Sequence, residues 1–97
     1  MTKPVLTDDE VTARLAASDW TRAGDTIVRE LEFRDFADVI RFVNRVAEVA
    51  ETYNHHPDML VHGWNKLQLI LTNHAAGGLT ELDFEMAARF DALLGDA

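Results

Sequence analysis

Residues 35–74 read DFADVIRFVNRVAEVAETYNHHPDMLVHGWNKLQLILTNH, and this stretch decides the fold. In its first half Phe36, Val39, Ile40, Val43, Val46, Ala47 and Ala50 recur every three or four residues, which sets them along one side of a long helix. Asp35 can cap that helix by accepting a free amide of its first turn. Pro57 disfavours helical backbone at His56, so the helix is expected to stop near Tyr53 or Asn54. In the second half the period changes to two. Met59 to His62 reads as a short strand. From Lys66 to Thr72, Leu67, Leu69 and Leu71 alternate with Lys66, Gln68 and Thr72, the pattern of a strand with one buried face.

Upstream, Ile27, Leu31 and Phe33 share a parity between Asp25 and Phe33, with Glu30 and Glu32 opposite and Arg29 as the exception, so a second half-buried strand is expected. The segment 18–24 before it holds Trp20 and a turn signal. Thr7-Asp8-Asp9-Glu10 is a capping box, opening a short helix with Val11, Leu15 and Ala16 as its apolar positions. Downstream, Gly77-Gly78 marks a break. Thr80 and Asp83 form a weaker capping signal before a last helix carrying Phe84, Ala87, Ala88, Phe90, Ala92 and Leu94. The order is α-β-β-α-β-β-α. Paired strands between helices predict an α+β fold: an antiparallel sheet with helices packed on one face and a comparatively polar opposite face.

The 97 residues suit a single domain over 1–97, and a hydrophobic fraction of 47% supports a core. A chain this short leaves more surface exposed than a larger one, so self-association is an easy way to bury more. Cysteine is absent, which excludes disulfides, thiolate metal sites and cysteine nucleophiles. The formal net charge of −8 argues against nucleic acid, whose binding rests on clustered cations. No apolar run has the length of a membrane span, and Met1-Thr2-Lys3-Pro4 lacks the apolar region of a signal peptide. A cytoplasmic location follows as the expectation.

All four histidines fall at positions 55, 56, 62 and 74. Imidazole titrates near neutrality, so such a concentration suits proton transfer. His55 and His56 follow a helix end beside a rigid proline, and His74 follows the most apolar strand. From the residues alone two readings stay open, a proton-transfer site or a set of surface and helix-capping histidines; His62, inside a strand, takes the second. Metal binding is not expected. Adjacent His55 and His56 point in different directions, and the zinc-binding helix pattern of two histidines four apart around a glutamate is missing. Ser18 is the lone serine and lacks the context of a hydrolase nucleophile.

The run Glu51-Thr52-Tyr53-Asn54-His55-His56-Pro57-Asp58, followed by Trp64-Asn65-Lys66, Thr72-Asn73-His74, Gly78-Leu79-Thr80 and Asp83, resembles the signature of the pterin-4a-carbinolamine dehydratases. The resemblance covers most of the chain. It implies a four-stranded antiparallel sheet with three helices on one face, assembled as a homodimer or homotetramer. It also implies dehydration of 4a-hydroxytetrahydrobiopterin to quinonoid dihydropterin and water, in tetrahydrobiopterin recycling, with no metal and no organic cofactor. His55, His56 and His74 become the catalytic residues, His55 and His74 moving protons and His56 holding the pterin. Glu51, Pro57, Trp64, Lys66 and Asp83 become substrate-binding or supporting positions. Met59 and Asn73 depart from the common family residues. The rival reading is a non-catalytic assembly or dimerisation module on the same fold; retention of all three histidines favours the enzyme.

Overall fold

The computed structural model describes residues 4–95; Met1, Thr2 and Lys3, read above for a leader segment, lie outside them. The chain runs α1 (Asp8–Leu15), β1 (Thr21–Ala23), β2 (Thr26–Glu32), α2 (Phe36–Tyr53), β3 (Asp58–His62), β4 (Lys66–Leu71) and α3 (Glu81–Gly95). The strands form one sheet in the order β1-β2-β4-β3, with every neighbouring pair antiparallel. Three helices and four strands in the expected order make up the expected α+β fold. No helix among the described residues is long and apolar enough to cross a membrane.

The register follows from burial. Ile27 pairs with Leu71, Arg29 with Leu69 and Leu31 with Leu67, so the leucines of β4 and alternate residues of β2 share one face. A slip of one residue would turn all of them outward. That face carries Ile27, Leu67, Leu69 and Leu71, all essentially inaccessible, which join Val11 of α1, Val39, Phe42, Val46 and Ala50 of α2, and Met86, Ala87 and Phe90 of α3 in one core. The opposite face is mixed rather than simply polar. Val28 and Ile70 sit there as neighbours, beside Glu30, Gln68, Leu60, Lys66 and His62.

Periodicity located the helices but not the line along which each meets the sheet. In α2 the buried residues step through 39, 42, 46 and 50. Phe42 therefore enters the core, while Phe36 is 53% exposed and Ala47 faces out. In α3 it is Met86 that packs inward, and Ala88 and Ala92 that do not. The lone charge on the inward face of β2 is also explained. Arg29 donates to Asp91 of α3 at 2.6 Å and lies 3.5 Å from Asp19, while the Trp20 indole N–H donates to the same Asp91 at 2.9 Å. A cation at the core's edge is thus paired and stitches α3 to the sheet.

Two outcomes are expected. Phe42→Ala removes a buried ring and should lower unfolding free energy by about 3–5 kcal/mol in urea titrations. At α1 both bonds of the capping box form, and the Thr7 amide donating to Glu10 holds that carboxyl below the usual range. A lowered carboxyl pKa favours the fold above the unfolded value and loses its contribution as pH falls through the folded one. Amide-exchange protection in the first turn of α1 should therefore decline on acidification, and Glu10→Gln should weaken that decline.

Candidate active site

The C-terminus of α2 delivers the first histidine. Asn54 adopts the left-handed conformation (φ 50°), its amide bonds back to Ala50 and Glu51, and the His55 amide donates to the Ala50 carbonyl at 3.2 Å. This closes the helix with an αL residue at its end and fixes where His55 leaves it. The His55 ring then turns toward the start of α3. Its Nε2 lies 2.6 Å from Asp83 Oδ1, with 11% of the side chain accessible and none of Asp83. The other carboxylate oxygen, Oδ2, accepts the Thr80 amide at 2.9 Å. One aspartate thus caps a helix with one oxygen and holds a histidine with the other.

His74 arrives from the opposite direction. It lies in the loop after β4, where the Gly77 and Gly78 amides both donate to the Asn73 carbonyl and the Ala76 amide donates to Asn73 Oδ1 at 3.1 Å. Gly77 sits at φ 83°, a conformation that a side chain would strain. Because Asp58 at the start of β3 pairs with Ile70 near the end of β4, His55, His56 and Pro57 emerge at the same end of the sheet as His74. His74 is exposed, and its ring has no partner among the described residues. His56 is half exposed, and its Nε2 is 3.5 Å from Glu51 Oε1 in a pair open to water. That pair contributes little to stability but can orient the ring.

Three expected positions behave differently. Asp83 has no accessible surface, so its influence on a ligand passes through His55 rather than by contact. Trp64 lies in the β3–β4 turn and Lys66 opens β4, with Trp64 64% exposed at φ 58°. At a rise of about 3.3 Å per residue, the length of β3 puts them roughly 13 Å or more from the histidine end. Within one chain they do not join the site, because an antiparallel hairpin sends its tip away from its open end. His62 lies on the outer face 3.4 Å from Glu30, apart from the other three. Among the described residues no set of three or more histidines and carboxylates is arranged to hold a metal ion. Thr80 and Asn73 come to the site with no chemical role assigned from sequence; they were visible only as members of the run around the histidines and, for Thr80, as a capping position.

Residues 4–93 match the family model for pterin 4 alpha carbinolamine dehydratase. A relative from Natronomonas pharaonis, provisionally named a pterin-4-alpha-carbinolamine dehydratase, is 44% identical over 91% of this chain and 94% of its own. One from Picosynechococcus with the same provisional name is 43% identical over 91% and 96%. Among solved structures, a transcriptional coactivator/pterin dehydratase from Brucella melitensis superposes with a TM-score of 0.84 at 32% identity, covering 91% of this chain and 96% of that one. A pterin dehydratase-like protein identified as a RuBisCO assembly factor in the alpha-carboxysome gives 0.66 at 25%, covering 81% and 93%.

The buried aspartate sets a stability test. Asp83→Ala leaves the buried Thr80 amide without its acceptor, and chemical denaturation should register a loss of about 1–3 kcal/mol. His56→Ala, at an exposed position, should stay within about 0.5 kcal/mol.

Proposed function

This chain belongs to the pterin-4a-carbinolamine dehydratase family, and on that premise we propose that it dehydrates 4a-hydroxytetrahydrobiopterin to quinonoid dihydropterin and water, in cytoplasmic tetrahydrobiopterin recycling. The reaction breaks the C4a–O bond as a proton reaches the departing hydroxyl. The N5 lone pair then forms the C4a=N5 bond, and the N5 proton leaves. The step needs one acid and one base on a bound ring, with no net gain or loss of protons. His55 and His74 are the two proton-moving groups. His56, oriented by Glu51, and Pro57 flank the ring.

The observation that carries this reading is the 2.6 Å contact of His55 with a wholly buried carboxylate, at the end of the sheet that also presents His56 and His74. A histidine backed by a carboxylate and open on its other side has the arrangement that proton transfer requires. A non-catalytic assembly module is the alternative, supported by the likeness to the carboxysome protein. The decay of synthetic 4a-hydroxytetrahydrobiopterin separates the two. The protein should accelerate it, His74→Ala should lose about 10²–10⁴-fold in kcat, and a chelator should change nothing. No acceleration by the unaltered chain sinks the enzyme reading, and activity abolished by chelator would replace it with a metal mechanism.

The proposal includes self-association as a homodimer or homotetramer. Phe36 is 53% exposed on α2, beside Ile40, Val43 and Ala47 at four-, three- and four-residue steps, and Leu60 is 52% exposed on β3, whose outer edge pairs with no other strand among the described residues. Unpaired edges and apolar stripes of this kind invite a second copy. Sedimentation at micromolar concentration should give a dimer or tetramer that Phe36→Asp or Leu60→Asp weakens; a monomer throughout overturns this part.

A further inference from the structure

We infer that the site is composite: Trp64 of one protomer completes the histidine end of a second copy, where its indole covers one face of the bound planar heterocycle. The identity of that heterocycle rests on the dehydratase reading. The placement of Trp64 rests on the free edge of β3.

Within its own chain Trp64 is strained and contacts little. Its backbone is left-handed at φ 58°, next to Gly63 at φ 56°, a conformation that strains a residue with a side chain. The indole is nonetheless the most exposed of the large apolar side chains among the described residues. Strain of this kind persists only where the surroundings hold it, and here they do. The buried Asn65 accepts the Phe33 amide on its carbonyl at 2.8 Å, and its side chain donates to the Phe33 carbonyl at 3.0 Å. Its own amide donates to the Gly63 carbonyl at 2.7 Å. A fixed turn thus presents an indole to something outside the chain.

The β3 edge fits a second copy. Antiparallel pairing of β3 with its twofold mate, centred on Leu60, uses all five of its residues. Exposed Leu60 then meets the partner's Leu60, Met59 meets the partner's Val61, and Asp58 meets the partner's His62. Asp58, Leu60 and His62 lie opposite Ile70, Gln68 and Lys66 in the sheet, while Met59 and Val61 lie opposite Leu69 and Leu67, so every new pair joins like faces. Asp58, which has no ion-pair or hydrogen-bond partner of its own among the described residues, gains an imidazole. Centring on Met59 would draw in Pro57, which has no amide to donate. Centring on Val61 would draw in Gly63 and Trp64, whose left-handed backbone cannot continue a strand. At the other edge of the sheet, β1 has three residues and would set Arg22 against its own copy.

Trp64 lies as far beyond Leu60 on one side as His56 lies on the other. The strand length that keeps Trp64 from its own histidines therefore brings it level with the partner's His56. Neighbouring strands run about 4.8 Å apart, well within the reach of an indole. Trp64 closes over the partner's His56 and the partner's Pro57, where stacking on a planar ring is the contact it offers.

Three measurements test this. The chain has no cysteine, so Leu60→Cys supplies a single thiol. Mild oxidation should convert that variant almost wholly to a covalent dimer, because directly opposed residues sit within disulfide range. Trp64→Gly keeps the turn, since glycine takes this conformation without strain, and should raise KM about tenfold with kcat within about threefold. Trp64→Gly is then co-expressed with His74→Ala under a second tag, and the mixed assemblies are isolated. There the Trp64→Gly chain keeps its histidines and receives an indole from its partner, so half the sites should regain the unaltered KM. Mixed assemblies that keep the raised KM, Trp64→Gly with an unchanged KM, or Leu60→Cys that stays uncrosslinked overturns the inference. An unaltered chain without dehydratase activity whose Leu60→Cys form crosslinks removes the pterin contact together with the dehydratase reading. A working enzyme that fails the crosslinking or mixing test removes this inference alone.

Discussion

A carboxylate with no accessible surface must have its charge met by fixed donors, and at Asp83 that requirement organises one whole end of the molecule. The Thr80 amide and the His55 ring meet it from opposite sides. These two bonds tie the last residues of α2's exit to the first turn of α3. Through Asn73 and Thr80 the loop bearing His74 is drawn into the same arrangement. Removing the aspartate would loosen three chain segments at once. The histidine end of the sheet is therefore organised by a structural necessity of the fold.

The sheet supplies the second condition. Its register turns Leu67, Leu69 and Leu71 inward, and α2 and α3 lie over them. Burial on one face fixes the strand ends to within a residue. The start of β3 is thereby held against the end of β4, and two loops 16 or more residues apart in sequence open side by side. The same antiparallel geometry removes Trp64 and Lys66 from that place. A hairpin brings its strand ends together only by carrying its turn away, so a motif contiguous in sequence is split across the length of a strand.

Much of this was legible before the structure. The helices and strands declare themselves because periodicity of 3.6 and 2 is a local property of the chain. The concentration of His55, His56 and His74 suited proton transfer by residue chemistry while leaving surface or capping roles open, and the run around them resembled one family's signature. The details of docking were hidden. Nothing local distinguishes Phe36 from Phe42 as the core residue of α2, since both lie within its apolar arc and the neighbouring elements choose the line of contact. Arg29 reads as a flaw in a strand until Asp91, 62 positions away, is seen beside it.

By itself, then, the sequence determined which segments are helix and strand, their order, and which side chains could move a proton near neutral pH. These follow from spacing and from the chemistry of single residues. Only the tertiary structure decided that Thr80 and Asp83 are more than a helix cap, that His55 is the histidine with a buried carboxylate behind it, and that Trp64 lies elsewhere. The reason is physical: a hydrogen bond between residues 28 positions apart is specified by the path of the chain between them. That path is set by packing the whole core at once, and no local window of sequence contains it.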